Sequence, residues 1–496
     1  MTTQASPEEQ RKRSRERKTP TLFQAFLPVL ALLVFLGGGY IAFELPVEPL
    51  LIAAAVVAGI VAIRLGYTWD DIIESISQKI AKTMPAILIL IVVGLLIGTW
   101  MAGGTIPMLI YYGLKLISPK YLALVALVVT AIVSLCTGTS WGSAGTIGVA
   151  FMGVAAGMDA NLAVVAGAVV AGAYFGDKLS PLSDTTNIAS LATGVNLFVH
   201  IKHLLWTTLP AFLVSATVYL YFGLTNTATG HVPEKVGLVM DTLSSAFNLT
   251  GGWVIPLILP VLLVLLGSAF KLPTVPVMLA SGVIAAFNAV VIQGISLKDT
   301  VVSAVNGFNI DMVTAPGFDS ANVIEDVTRL VDRGGMNSMM STLLICFCAI
   351  SFAGVMSVTP SLNILIEKLL GKVKSTFGLI AATVVTGVST IGITSNGQVS
   401  LLIPGEILRP AYVERGLDPK NLSRTIEDSV TVIEPIMPWT AAGAYMAGTL
   451  GVATFSYLPW AVSNWIAIGF ALLWAATGIG IAKLSPEQQR ELEAAS

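Results

Sequence analysis

The chain has 496 residues, of which 55% are hydrophobic and 11% are charged, and its formal net charge is −2. A soluble domain carries about 25% charged residues, so this composition excludes a soluble fold and indicates a polytopic α-helical membrane protein. The sequence offers no basic domain suited to nucleic acid. Its three cysteines lie in apolar runs, without disulfide or metal-ligand spacing.

The first 21 residues form a basic tail ahead of the first apolar run, residues 22–43. A secretory signal is the alternative interpretation, but this run is longer than the hydrophobic core of a signal and has no clear small-residue cleavage site. We therefore expect a retained transmembrane helix. Under the positive-inside rule, the basic tail places the N-terminus in the cytoplasm.

Eight apolar stretches approach the ~20 residues that cross about 30 Å of hydrocarbon. They are residues 22–43, 49–65, 85–103, 204–223, 252–270, 273–293, 337–356 and 462–482. Amphipathic stretches at 69–82 and 297–308 follow the second and the sixth of them, and polar connections occupy 225–250 and 309–335. Two long regions, 121–199 and 376–452, do not read as simple spans because polar motifs interrupt them.

The two irregular regions resemble each other in sequence. The letters TSWG at 139–142 match TSNG at 394–397, a separation of 255 residues, and Pro181 and Thr186 match Pro435 and Thr440 at 254. A nearly constant separation predicts two structural repeats. We divide the chain into a basic tail (1–21), a first transmembrane repeat (22–223), a connection (224–251), a second transmembrane repeat (252–482) and a C-terminal tail (483–496).

The charges of the connections indicate that the second repeat is inverted relative to the first. The connection at 309–335 is acidic, as an exterior loop would be, whereas 409–424 contains four basic residues. Positive charge favours the cytoplasmic face, and inverted repeats are common in secondary transporters. We predict that 309–335 is exterior, and that 409–424 and both termini are cytoplasmic.

Each repeat is predicted to contain a re-entrant hairpin followed by a broken transmembrane helix. The hairpins span 121–158 and 376–413, with tips at 138–145 and 394–398. The broken helices span 162–199 and 418–452, with breaks at 177–186 and 433–440. Non-helical backbone at membrane depth is tolerated only where protein encloses it or where it lines a cavity, so we expect the tips and breaks to converge near the midplane of an all-α fold.

The chain is organised around residues 172–187, GAYFGDKLSPLSDTTN. A charged residue at bilayer depth costs about 2.5–3.5 kcal/mol on insertion scales, so it is rarely present without a function. The proline and the hydroxyl groups fit a helix interrupted at mid-membrane, where free carbonyls and half-helix ends hold a small ion.

Two segments carry a resemblance to a known family. GTSWGSAGTIGVA at 138–150 and GAYFGDKLSPLSDTTNIA at 172–189 resemble the signature segments of the NhaC-type sodium/proton antiporter family. The similarity extends from about Phe23 through the last helix. It implies cation-coupled antiport, and the family also includes members thought to exchange malate for lactate with sodium and protons.

Asp184 is the leading candidate for binding the cation and the proton, followed by Asp177. Both lie among oxygen donors of the kind that hard cations prefer. The alternative is that Asp184 has a purely structural role as a helix N-cap. The accompanying donors in the first repeat are Thr139, Ser140, Ser183, Thr185 and Asn187.

The second repeat supplies Glu434, whose apolar neighbours suit a proton carrier, and Asp428, which we favour over Glu427. Ser395 and Asn396 are oxygen donors at the second tip. As a specific Na+ site we expect Asp184, Ser140 and Asn396. No cofactor is expected, because Na+ and H+ are the transported ions.

The letters GTSWG at 138–142 also match the G-x-S-x-G pattern of serine hydrolases. That pattern needs a strand–turn–helix context and a histidine base. The histidines, His200, His203 and His231, all fall in predicted connections, where ordinary loop residues are the favoured interpretation and cytoplasmic pH sensing is the alternative.

We therefore expect a Na+/H+ antiporter of the plasma membrane that is not an enzyme and works by alternating access. The alternative is a Na+/H+-coupled exchanger of small carboxylates such as malate and lactate, and the remote alternative is an intramembrane serine hydrolase. The expected partners are Na+, H+ and the lipid bilayer, and a homodimer is compatible with the sequence.

Overall fold

A computed structural model describes residues 17–43, 45–225, 232–323, 325–371 and 373–494. Within these residues the regular structure is helical, apart from one isolated antiparallel bridge between Leu417 and Lys483. Ten helical segments are long and apolar enough to cross a membrane, and a pair bent by 54° at residue 461 adds an eleventh. The prediction of an all-α polytopic membrane protein is confirmed.

The α-helices of the first half are α1 Leu22–Val34, α2 Val47–Arg64, α3 Trp69–Ala102, α4 Thr105–Leu116, α5 Leu122–Thr137, α6 Ser140–Ser143, α7 Val149–Gly157, α8 Leu162–Leu179, α9 Asp184–Thr193, α10 Leu197–Thr225 and α11 Val232–Ala246. Those of the second half are α12 Val254–Ala269, α13 Thr274–Val291, α14 Leu297–Asn306, α15 Glu325–Val331, α16 Met340–Ser357, α17 Ser361–Leu370, α18 Thr376–Thr394, α19 Gly397–Val413, α20 Lys420–Ser429, α21 Ala441–Leu450, α22 Thr454–Tyr457, α23 Val462–Thr477 and α24 Pro486–Ala494.

Two predicted span boundaries were wrong. The amphipathic stretch 69–82 and the span 85–103 form one continuous helix, α3, with Pro85 inside it. Proline favours the first turn of a helix, but a transmembrane helix also tolerates it internally. The connection 224–251 contains α11, and the last span ends at Thr477 rather than at 482.

Both hairpins are present, and their tips are shorter than predicted. In the first, α5 ends at a left-handed Gly138 (φ 68°), and Thr139 caps the returning helix through the N–H of Gly142. In the second, α18 ends at a left-handed Ser395 (φ 51°), and Asn396 caps α19. A left-handed conformation is uncommon for a residue other than glycine.

The two tips match in their hydrogen bonds as well. The Thr137 hydroxyl contacts Ser143 and the Thr394 hydroxyl contacts Ser400, while Ser143 and Ser400 each donate to the carbonyl of the capping residue at 2.8 Å. These equivalent residues are 257 positions apart, not the 255 suggested by the sequence letters. Side-chain geometry therefore corrects the register of the repeat by two residues at the tips.

Both broken helices are also present. The first consists of α8 and α9 with non-helical residues 180–183 between them, and it ends at Thr193 because Gly194 is left-handed (φ 68°). The prediction placed that end at 199, but α10 already begins at Leu197. The second consists of α20 and α21, separated by residues 430–440, which include a 3-10 turn at Glu434–Ile436.

The helices of the two predicted repeats pack across each other in a reciprocal way. Helix α3 lies along α13, and α16 lies along α2. Helix α9 of the first repeat packs on α19 of the second hairpin, and α21 of the second repeat packs on α6 and α7 of the first. This reciprocal packing is what a two-fold relation between the repeats requires. That the second repeat is inverted in the membrane stays a prediction.

The predicted topology is testable with single cysteines at two exposed positions. In a variant without the three native cysteines, we expect a membrane-impermeant maleimide added to intact cells to label Ala321→Cys but not Glu414→Cys. Both native side chains are exposed, so accessibility within the fold does not limit labelling. Labelling of Glu414→Cys after the cells are opened is the control. Labelling of both positions in intact cells would contradict the inverted arrangement.

Candidate functional site

Every buried Asp, Glu, Lys and Arg in the described part of the chain lies in one of the two broken helices. We call these residues the central cluster: Asp177, Lys178, Arg424, Glu427, Asp428 and Glu434. Burying a charge is costly unless it is paired, and buried ionisable residues in membrane segments mark ion pathways. The site predicted from the two interrupted segments is therefore where the buried charge of this protein is gathered.

One ion pair joins the two broken helices. The Lys178 ammonium on α8 lies 2.5 Å from Oδ1 of Asp428 on α20, and both side chains are at most 1% exposed. The hydroxyl of Thr207 on α10 donates to the same oxygen at 3.1 Å. Lys178 therefore pairs across the repeats rather than with its neighbour Asp177. The prediction that Asp428 binds cation or proton remains open, because one of its oxygens is occupied by this pair.

Asp177 lies one residue before Lys178 and faces the first hairpin tip. Its carboxylate accepts a hydrogen bond of 3.1 Å from the Ser140 hydroxyl. The Ser183 hydroxyl, in the break of the same broken helix, also hydrogen-bonds to this carboxylate. A buried carboxylate flanked by two hydroxyls can bind a proton or provide hard oxygen ligands to a small cation.

Glu434 occupies the corresponding position beside the second hairpin tip. Its carboxylate is 8% exposed and accepts from the backbone N–H groups of Gly397 and Ala442, at the starts of α19 and α21. A Cβ at position 397 would lie 2.6 Å from Oε2 of Glu434, so any other residue there would require the carboxylate to move. Two helix N-termini thus hold a carboxylate that lies within electrostatic range of Asp177.

The free backbone carbonyls of the two breaks are satisfied by side chains. Thr186 donates to the carbonyl of Lys178 (3.1 Å), and Thr440, its sequence counterpart, donates to that of Glu434 (2.5 Å). Tyr457 and Asn464 donate to the carbonyls of Pro435 and Val432. These hydrogen bonds satisfy the non-helical backbone of the breaks. Backbone at membrane depth needs such partners because water is not available there.

Three of the predicted site residues, Asp184, Thr185 and Asn187, lie at the start of α9 and not in the central cluster. Asp184 and Asn187 are exposed at the start of α9, where Asn187 spans the break by donating to the carbonyls of Pro181 and Ser183. Thr185 contacts Ser183 at 3.0 Å. The N-cap position of α9 belongs to Ser183, not to Asp184.

The predicted Na+ site of Asp184, Ser140 and Asn396 is not assembled as a unit. Ser140 contacts Asp177, Asn396 uses its side-chain oxygen to cap α19, and Asp184 is exposed. Ser395 and Thr139 hold the tips, as described above. The side chains brought together at the core are therefore Asp177, Ser140 and Ser183.

The structure buries three ionisable residues that the sequence analysis did not place in the core. Glu427, over which Asp428 was favoured as a site residue, is 0% exposed, like Asp428. His200 and His203, placed in a connection, lie buried in α10 and contact Ser423 and Asn421 on α20. His231 lies outside the described residues. The sequence feature behind these omissions is the polar run at 420–431. It reads as a loop, but it forms a helix whose residues 421–429 are all buried.

The hydrolase alternative finds no support in the geometry. Ser140 begins a short helix after a helical hairpin, not after a strand, and its partner is Asp177. Both described histidines are engaged on α20 instead.

Two cavities approach the hairpins from different parts of the molecule. The larger, about 620 Å³, extends from Arg333 and Asn309 to Thr449 at the end of α21. The smaller, about 450 Å³, extends from Lys79 and Tyr67 to Thr394 at the second tip. Between them the first tip is held by Tyr445, whose ring stacks on Trp141 with centroids 4.2 Å apart.

The ion pair provides a test of the central cluster. Lys178→Met leaves the Asp428 carboxylate buried without its cation, which we expect to destabilise the fold by about 3–5 kcal/mol. The double variant Lys178→Met/Asp428→Asn removes both charges and should recover most of the loss. Thermal melting in detergent measures both. A single variant as stable as the native protein would contradict the observed pairing.

Comparisons with known proteins show the family to which this chain belongs. A model of the Na+/H+ antiporter family matches residues 172–479. An uncharacterized Na+/H+ antiporter of Haemophilus influenzae is 60% identical over 95% of this chain and 99% of its own length. A Na+/H+ antiporter NhaC of Alkalihalophilus pseudofirmus is 35% identical over 89% of the chain and 93% of its own length. A malate-2H+/Na+-lactate antiporter of Bacillus subtilis is 33% identical over 93% and 96%. The chain belongs to the Na+/H+ antiporter family.

Proposed function

We propose that the protein moves Na+ out of the cell in exchange for protons through a site centred on Asp177. The observation that carries the proposal is the collection of all the buried acids and bases of the described chain around the two breaks. In this proposal the protein lies in the plasma membrane with both termini in the cytoplasm, and the two repeats form the halves of one transport unit.

Asp177, Ser140 and Ser183 are the proposed ligands of Na+. Carboxylate and hydroxyl oxygens suit a hard cation, and these three groups converge on one buried point from the tip and the break. Asp184 is the exposed acid of the same break, and we assign it to attracting the cation toward Asp177. The oxygens of Thr185, Asn187, Ser395 and Asn396 complete the surroundings of the breaks and tips.

Competition for the carboxylate is the proposed coupling. A buried, unpaired Asp177 carboxylate is costly, and either a proton or Na+ removes that cost. Occupied by either ion, the site is neutralised and can change its access from one face to the other. An empty, charged site resists that change, so ions cross only in exchange.

Alternating access follows from the two cavities in this proposal. The cavity beside Arg333 is lined by part of the connection 309–335, which is predicted to be exterior. The cavity beside Lys79 lies at the N-terminal part of α3, which the predicted topology places on the cytoplasmic side. Each reaches the end of one hairpin or half-helix but stops short of Asp177, which is 5% exposed. Movement of the hairpins relative to the broken helices would connect the site to one cavity at a time.

Exchange of small carboxylates is the second candidate. One observation favours it: the cavity of about 620 Å³ exposes Arg333 and Asn309, which suit the recognition of a carboxylate. The relative from Bacillus subtilis carries such a substrate in its name. Proteoliposomes assayed with Na+ alone, and then with malate or lactate, distinguish the two candidates.

The two aspartates of the first break are expected to behave differently. Asp177→Asn removes the buried ligand and should reduce Na+-dependent proton movement in proteoliposomes to that of empty liposomes. Asp184→Asn should raise the Na+ concentration for half-maximal exchange, because it removes only the exposed charge. As controls, both variants should insert into the membrane and melt at the same temperature as the native protein. Native exchange rates in Asp177→Asn would remove that residue from the site.

Glu434 is expected to belong to the proton side of the cycle. Glu434→Gln imitates the protonated acid permanently, so exchange should stall while Na+ binding is affected less than in Asp177→Asn. Glu434→Asp keeps an ionisable group with a shorter reach, and it should keep partial activity with a shifted pH profile. Exchange by Glu434→Gln with an unchanged pH profile would mean that the glutamate is structural.

A further inference from the structure

A second pair of ionisable groups lies beside the ion pair and takes no part in the exchange described so far. Glu427 on α20 and His200 on α10 are both 0% exposed, and Oε1 of Glu427 lies 3.8 Å from Nε2 of His200. Among the described residues, neither oxygen of Glu427 and not the Nε2 of His200 has a hydrogen-bond partner. The separation is too long for a hydrogen bond, so each of these buried polar atoms bears the cost of being unsatisfied, and a proton held between them would relieve it.

Nδ1 of His200 lies 2.8 Å from the Ser423 hydroxyl, which also lies 3.1 Å from the carbonyl of Lys420. The hydroxyl has one hydrogen, so when it donates to this carbonyl it accepts from Nδ1. A neutral His200 then carries hydrogen on Nδ1 and turns a bare Nε2 toward Glu427. In this tautomer, a hydrogen bond between the two residues needs an added proton.

His203, one turn along the same helix, has the opposite arrangement. The Asn421 side-chain nitrogen donates to the carbonyls of Asp418 and Ala482, so its oxygen must accept. Nε2 of His203, 3.2 Å from that oxygen, is therefore a donor already in use. His203 therefore uses in a hydrogen bond the nitrogen that His200 leaves without one, and it serves as a matched control for His200.

The charges of the central cluster give the pair a reason to hold a proton. Four carboxyl groups, Asp177, Glu427, Asp428 and Glu434, face two basic groups, Lys178 and Arg424. Fully ionised, the cluster has a formal charge of −2, so a single added cation would leave it unbalanced. In a low-dielectric interior such an imbalance is costly, which calls for a second bound cation besides the one at Asp177.

We propose that His200 and Glu427 form a second proton-binding site, which holds one proton and releases it when Na+ occupies the site at Asp177. The proposal rests on the proposed function. Asp177 and Glu427 each precede a member of the Lys178–Asp428 ion pair, so the two sites are neighbours and sense each other's charge.

The proton moves in two steps. The O–H bond of protonated Glu427 breaks as an N–H bond forms at Nε2 of His200, giving a carboxylate and an imidazolium. The imidazolium then gives this proton to solvent, which returns His200 to its neutral form. The Na+ at Asp177 takes the place of the proton bound there, so the loss of this second proton changes the formal charge of the cluster from 0 to −1.

The surroundings of the pair come from several helices. The ionisable side chains on these elements include Tyr174, Asp177 and Lys178 on α8, Asp184 on α9, Lys202, His203, Tyr219 and Tyr221 on α10, Glu406, Arg409 and Tyr412 on α19, Lys420, Arg424 and Asp428 on α20, Cys136 on α5, and Lys120 and Tyr121 in the turn before α5. Helices α18 and α23, which also contact α20, carry none.

Counting the protons released on Na+ binding tests the proposal. Purified protein in weakly buffered detergent solution is saturated with Na+, and the released protons are measured with a pH indicator against bound radioactive Na+. We expect Glu427→Gln to release about one proton fewer per bound Na+ than the native protein. His203→Gln should release the native number.

His200→Gln keeps Glu427 but removes its proton acceptor, so the pH range over which the additional proton is released should shift. This variant also carries the test if Glu427→Gln does not fold. A purely structural pair would change melting temperature or Na+ affinity, but not the number of protons at saturation. The native number from Glu427→Gln, or an unshifted pH range in His200→Gln, would overturn the proposal. Release of no proton by the native protein would instead refute the shared site at Asp177.

Discussion

The architecture depends on how buried charge is balanced between the two broken helices. Lys178 and Asp428 form an ion pair in an interior where either charge alone would cost several kcal/mol. Because one partner comes from each repeat, the pair sets the position of α8 relative to α20. The remaining acids, Asp177, Glu427 and Glu434, then outnumber the one remaining base, Arg424, by two, which is the condition that a site for exchangeable cations needs.

The breaks are what make room for this cluster. An uninterrupted helix has no free carbonyls or N–H groups at mid-membrane, whereas the two interruptions leave both, and most are satisfied by side chains such as Thr186 and Thr440. The hairpin tips supply the rest: Ser140 reaches Asp177, and the N–H of Gly397 reaches Glu434. Each break is thus completed by a tip of its own repeat, and the cross-packing of α9 and α21 on the opposite hairpins joins the two halves.

Much of the fold could be predicted from the sequence, because the spans and the breaks each leave a local sequence signal. Apolar length gave the spans, and Pro181 and Pro435 between hydroxyl-rich segments indicated the breaks. The choice among acids could not be predicted, since it depends on which way each side chain points. Asp177 and Asp184 are seven residues apart in one motif, yet one is buried against Ser140 and the other is exposed. For the same reason Glu427 was ranked below Asp428, and a buried polar helix, α20, was read as a connection.

The central claim is that Na+ and a proton compete for one buried carboxylate site. The affinity of the native protein for Na+, measured by equilibrium binding in detergent over a series of pH values, tests it most directly. Protonation occupies the site, so the apparent Kd for Na+ should rise as the pH falls, by about tenfold per pH unit where one proton competes. A Kd that stays constant across pH values at which the protein remains folded would contradict the account.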